Sequence, residues 1–201
     1  MWEIILAAGW PIWPLIIASI IALAIIGERF WALRDEVVAP SNLLPDVQKW
    51  LAQGGVTKDT LTKLENHSAL GQIFASGLAN AKSSREITKE AIEESGRAVA
   101  HKLERYLPTL GTIATVAPLL GLLGTVIGMV ELFGSFTNSG HDVAQFARGI
   151  SVALYNTAAG IVVAVPAMIS YRYFRSKVDG LLVDMEQQAI KLVEILHGER
   201  K

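Results

Sequence analysis

The amino-acid sequence predicts an all-α membrane protein: three transmembrane helices, two of them extended far into the cytoplasm. Three observations predict it. First, the 201 residues are 51% hydrophobic, and the hydrophobic residues are gathered into three uncharged blocks: Ile12 to Ile26, Leu107 to Val130 and Gly149 to Tyr171. Crossing the hydrocarbon core takes about 20 apolar residues in a helix. The second block offers 24 and the third 23. The first lies within a longer uncharged reach, Ile4 to Gly27, and Trp2, Trp10 and Trp13 suit a membrane interface. Second, the basic residues are one-sided. Of 18 Lys and Arg, 11 lie between Arg29 and Arg105 and 6 from Arg172 to Lys201, which leaves Arg148 alone on the other side. Basic residues near helix ends mark the cytoplasmic face, so the N-terminus is expected outside and the C-terminus inside. Third, helical periodicity continues past the second and third spans into polar sequence.

Taken in order, residues 1–30 form the outer N-terminus and first transmembrane helix. No Lys or Arg precedes Arg29, and the block runs into Glu28-Arg29-Phe30-Trp31 rather than a small-residue cleavage site, so a retained helix is expected. Residues 31–106 form a cytoplasmic helical region. Val47 to Leu51 reads as a short helix closed by Gly54-Gly55, Thr57 to Leu64 as another and Leu70 to Ala81 as a third. Ser83 or Ser84 then caps a long helix with Glu86 or Ile87 in its first turn. Its face is expected to carry Ile87, Ala91, Glu94/Ser95, Ala98, Lys102 and Tyr106. The helix is expected to run through a kink at Pro108 into the second span, 107–132, making one helix of about 70 Å from Ser84 to Val130 at 1.5 Å per residue. Residues 133–148 are the short outer loop and 149–171 the third span. The segment 172–201 is a cytoplasmic helix with its apolar face on Val178, Leu181, Leu182, Met185, Ala189, Leu192 and Leu196.

Chemistry-bearing motifs are absent. The sequence has no Gly-x-x-x-x-Gly-Lys-Ser/Thr loop, no His-Glu-x-x-His and no Gly-x-Ser-x-Gly. His67, His101, His141 and His197 are scattered outside the spans, and Glu90, Glu93 and Glu94 share a helix with Lys89 and Arg97, as on a solvated or intersubunit charged face. Neither an enzyme nor a cofactor or metal site is expected. A net charge of −1 argues against nucleic acid as a partner, and the absence of cysteine excludes disulfides.

The informative residues lie inside the spans. At 100° per residue, Ala114, Ala117, Gly121, Thr125 and Gly128 share one narrow arc of the second helix. Ala153, Thr157, Gly160, Ala164 and Ala167 form a matching stripe on the third, with Asn156 beside Thr157. Small residues let helix backbones approach closely, so Gly121, Gly124, Gly128 and Gly160 are helix-packing candidates. Two stripes, each with one hydroxyl, suggest a common seam. Either each threonine bonds a carbonyl of its own helix, or Thr125 and Thr157, with Asn156, line a pore. Neither span has a carboxylate near its middle, and Glu131 lies at the outer end. If the chain conducts protons, the titratable group must come from a partner.

These residues resemble the MotA/TolQ/ExbB proton-channel family, most closely its ExbB and TolQ members. The resemblance rests on Gly-Leu-Leu-Gly-Thr-Val-x-Gly at Gly121 to Gly128. It rests equally on Gly149-Ile150-Ser151-x-Ala153-Leu154-x-x-Thr157-Ala158-x-Gly160 followed by Val165-Pro166-Ala167, and on Glu28-Arg29 after the first span. It implies a bacterial inner-membrane stator with a periplasmic N-terminus: a homopentamer around two copies of an ExbD- or TolR-like single-span protein, whose aspartate carries the proton. Thr125 and Thr157 match threonines that line the family's route, and the work goes to a TonB- or TolA-like periplasmic arm. Val152 stands where ExbB and TolQ commonly carry Glu. A sodium-driven stator of the same fold and a non-conducting membrane scaffold are the alternatives.

Overall fold

The computed structural model describes residues 9–52, 56–136 and 143–198. Among them are eight helices: α1 (Ile12–Ala32), α2 (Asp35–Val38), α3 (Leu43–Ala52), α4 (Lys58–His67), α5 (Ala69–Ala79), α6 (Arg85–Leu103), α7 (Leu107–Phe136) and α8 (Val143–Leu196). Three stretches are long and apolar enough to cross a membrane, and they contain the three expected blocks. The chain divides into two units: residues 1–28 with 106–173, and residues 29–105 with 174–201.

The first unit contains most of α1, all of α7 and the first part of α8. Leu15, Ala117 and Ala164 are buried together, with Leu120, Ala159 and Val163 packed around them. The outside is apolar: Ile17, Ile20 and Leu23 of α1, Leu119, Leu122 and Val126 of α7, and Ile161, Val162 and Val165 of α8 are all exposed. A small-residue interior inside an aliphatic exterior inverts a water-soluble bundle and suits a lipid or protein surround. The expected outer connection, residues 133–148, is helical at both ends. α7 continues to Phe136 and α8 begins at Val143, because the packing between them extends to buried Leu132 against Gly149. The middle of that connection, residues 137–142, lies outside the described residues, as do Trp2 and Gly54-Gly55.

The second unit is built on capped short helices. Thr57, Ser68 and Ser84 cap α4, α5 and α6, their hydroxyls accepting from the amides of Thr60, Gly71 and Ile87. α5 buries Leu70, Ile73, Phe74, Ala75 and Leu78. It is tied to α6 by hydroxyl bonds: Ser76 Oγ donates to Ala91 O (2.9 Å), Thr88 Oγ1 to Asn80 O (2.9 Å) and Ser95 Oγ to Gln72 O (3.3 Å). The buried line of α6 is Thr88, Ile92, Val99 and Leu103, one residue on from the expected face, and Ile87 is left 50% exposed. Thr88 is fully buried with its hydroxyl donating to Asn80 O, a bond the isoleucine side chain, having no donor, could not make. The far part of α8 buries Val178, Leu181, Met185, Ala189 and Leu192, as its periodicity predicts. α2, four residues long, has no counterpart in the sequence reading.

The second apolar span does not continue α6. α6 stops at Leu103 and α7 starts at Leu107, with Tyr106 at φ 67°. Pro108 explains the break: it lacks an N–H, and its ring collides with the carbonyl four residues back, on Glu104, which is the C-cap of α6. A kink was expected; a full interruption is found. At the C-terminal end of α6, where the helix ladder runs out, the carbonyl of Leu103 gains a cation. Arg29, 5% exposed, donates from Nη1 to Leu103 O at 3.1 Å. Arg175 of α8 pairs with Glu104 at 3.0 Å, and Lys177 with Asp35 at 2.7 Å. In the sequence Arg29 marks topology and, with Glu28, a family motif; in the fold it is a buried helix-end donor.

Candidate functional site

The site is the seam between α7 and α8 within the first unit. The helices run antiparallel, and glycines set how close they come. A methyl group on Gly128 would stand 3.4 Å from Ala153 N, one on Gly124 2.5 Å from Asn156 Cβ, and one on Gly121 2.8 Å from Asn156 O and 3.3 Å from Gly160 Cα. From the other side, a methyl on Gly160 would stand 2.7 Å from Ala117 O. Carbon atoms rest at about 3.5–4.0 Å, so at Gly121, Gly124 and Gly160 no larger residue fits without displacing a helix. The four glycines named from the sequence thus meet in one contact.

Each stripe keeps four of its five expected residues, and at one position in each the residue before the threonine is buried in its place. The fully buried line of α7 is Ala114, Ala117, Gly121, Gly124 and Gly128, and that of α8 is Ala153, Asn156, Gly160, Ala164 and Ala167. Thr125 and Thr157 are half-buried at the border. The physical reason is close approach: Gly124 offers room for Asn156 that a threonine would fill. Asn156 is 0% exposed and donates from Nδ2 to Val152 O at 3.1 Å. It is part of the seam's interior rather than of its border.

The two threonines converge. Thr157 Oγ1 donates across the seam to Gly121 O at 3.5 Å, while Thr125 Oγ1 donates to Leu122 O of its own helix at 2.6 Å. In an α-helix the carbonyl of residue 121 already receives the amide of residue 125. Gly121 O is therefore the shared neighbour of both threonines, and residues 121 and 125, four apart, lie on one face of α7. Hydroxyls here satisfy the backbone and keep their remaining lone pairs for another partner. No charged group lies on α7 before Glu131, which is exposed, nor on α8 from Gly149 to Tyr171. Among the described residues, no group of three His, Cys, Asp or Glu is placed to hold a metal ion. The arrangement sets two neutral hydroxyls on a small-residue wall, in stretches of α7 and α8 that carry no charged residue.

Comparison with known proteins follows the same lines. The model of the MotA/TolQ/ExbB proton channel family matches residues 65–187. Putative biopolymer transport protein ExbB-like 1 of Synechocystis is 31% identical over 171 residues, 83% of this chain and 67% of that protein. Biopolymer transport protein exbB1 of Vibrio cholerae is 28% identical over 186 residues, 89% and 80% of the two chains. The Tol-Pal system protein TolQ of Pseudomonas aeruginosa is 31% identical over 182 residues, 85% and 71%.

Proposed function

The chain belongs to the MotA/TolQ/ExbB proton channel family, and from that premise we propose that it is the pore-forming stator subunit of an ExbB–ExbD- or TolQ–TolR-type motor in a bacterial inner membrane. In this reading the N-terminus is periplasmic and the C-terminus cytoplasmic. Copies of the chain, five in number, enclose an ExbD- or TolR-like single-span partner. That partner brings the aspartate that takes up and releases the proton. Thr125 and Thr157 line the wall facing it, with Asn156 holding the wall together from inside the seam. A TonB- or TolA-like periplasmic protein receives the work.

The observation that carries the proposal is a pair of hydroxyls from different helices bonded to neighbouring carbonyls of one helix: Thr157 Oγ1 donates to Gly121 O and Thr125 Oγ1 to Leu122 O, on a stretch of α7 and α8 without a carboxylate. A packing role alone needs neither hydroxyl, since alanine or valine side chains also fill such borders. A relay beside a foreign carboxylate needs both, because hydroxyls accept and donate in turn.

The test is proton flux through the co-purified complex with its single-span partner in vesicles carrying an internal pH dye. Thr157→Val keeps volume and removes the hydroxyl. It is expected to reduce flux at least about tenfold, the scale set by losing one hydrogen-bonding group from a proton relay, with assembly intact by size. Flux equal to wild type refutes the role of Thr157. For the energised work of the complex, activity that survives a sodium-free buffer and is lost with a protonophore eliminates sodium as the driving ion.

A further inference from the structure

The cytoplasmic end of α1 carries a feature the seam does not use. Phe30 and Trp31 close a 21-residue apolar helix and are 64% and 66% exposed. Two residues past the helix, Arg34 places its guanidinium 4.0 Å from the centre of the Trp31 ring. Stacking fixes the plane of the guanidinium but leaves the N–H donors at its edge for another acceptor. Carboxylates nearby do not take them. Asp35 receives both hydrogen bonds of Lys177 at 2.7 Å, and no carboxylate among the described residues pairs with Arg34. Glu36 is exposed on α2.

An oriented guanidinium beside two exposed aromatic rings, at the point where an apolar helix ends, lies at the depth of lipid headgroups. Forked N–H donors match phosphate oxygens in pairs. We propose that Trp31 and Arg34 form a binding site for the phosphodiester of an inner-leaflet phospholipid. Arg34 donates two parallel hydrogen bonds to it, Trp31 holds the guanidinium in plane, and Phe30 lies along the first carbons of the acyl chains. The site anchors α1 at a fixed depth from outside the seam. The proposal rests on the reading of α1 as a membrane span with its C-terminal end inside.

The experiment uses the full-length protein, stripped of lipid in a nonionic detergent, titrated with dioctanoyl phosphatidylglycerol and followed by native mass spectrometry. Wild type is expected to retain one phospholipid per chain most tightly. Arg34→Gln and Trp31→Leu weaken that binding about tenfold, and Arg34→Lys, which keeps charge but loses the fork, weakens it about threefold. Dioctanoylglycerol lacks the phosphate and inorganic phosphate lacks the chains, so each is expected to bind at least about tenfold more weakly than the phospholipid. Equal phospholipid affinity in wild type and Arg34→Gln overturns the proposal, as does equal affinity for dioctanoylglycerol. So does a change in the number of chains per particle in Arg34→Gln with lipid binding intact, which makes this face a contact between copies. Resistance of the variant to extraction from membranes by alkaline carbonate tests the span itself, so failure of the site and failure of the span are read separately.

Discussion

Gly160→Ala puts a methyl group 2.7 Å from Ala117 O and 3.1 Å from Gly121 Cα. Both neighbours are backbone atoms of α7 and cannot swing aside as side chains do. Relief to the usual 3.5 Å or so therefore requires α7 and α8 to part by about 0.8 Å along their most closely packed stretch. Overpacking of this kind costs about 1–3 kcal/mol, and a rigid backbone neighbour puts it near 3 kcal/mol. Against this, alanine is the better helix former by about 1 kcal/mol. The net expectation is a loss of about 2 kcal/mol, or roughly 4–8 °C in melting temperature for a chain of this size. The assay is thermal unfolding in detergent followed by far-ultraviolet circular dichroism, with Gly134→Ala as the internal control. Gly134 also lies in α7, but a methyl there meets nothing within 4 Å, so that change is expected to be neutral or slightly stabilising. Should Gly160→Ala melt at or above the Gly134→Ala temperature, close approach at Gly160 does not hold the two helices together.

Arg29→Ala removes the buried donor to Leu103 O, leaving the end of α6 without its cation. A loss of about 2–3 kcal/mol is expected from a charge-assisted bond, measured by the same melt, and Arg29→Lys should recover part of it. Tyr106→Gly relieves a bulky residue at φ 67°. A left-handed conformation costs an L-residue about 1–2 kcal/mol, so the variant is expected to melt higher by about 1 kcal/mol after the entropy of glycine is charged against it. A lower melting temperature would show that the tyrosine side chain secures the joint.

The three apolar helices were legible because charge is excluded from whole turns of sequence, a signal that no local detail reverses. The stripes were legible as a seam, and Gly121, Gly124, Gly128 and Gly160 as its contacts, because 3.6-residue periodicity places them on one side. Which residue takes the centre was not. Helical angles set Gly124 and Thr125 on opposite flanks of the same stripe, about 100° apart, and only the bulk of Asn156 facing the stripe decides for the glycine. The same limit shifted α6 by one residue, where Thr88 found Asn80 O across a contact that the sequence does not display. Pro108 announced a disturbance, but its depth depended on Glu104 and Arg29, the latter distant in sequence. The one-residue scale of these differences is the scale of partner choice, whereas helix existence is settled by runs of twenty residues.

Gly121, Gly124 and Gly160 have a genetic consequence. Every single-base change in a glycine codon that alters the amino acid adds at least one carbon, and at these positions that carbon meets a helix already in contact. No mutation can act at these glycines by hollowing out; each can only wedge. Nor can a second-site change restore the fit to Gly160→Ala by trimming its neighbours, since Ala117 O and Gly121 Cα belong to the backbone and have nothing to trim. Suppressors of such alleles should therefore arise elsewhere, at positions that let a whole helix shift, and Gly121 and Gly160 should stand out in a mutational scan as sites without compensating partners, whereas Gly124 faces the Asn156 side chain, which a second change can shorten.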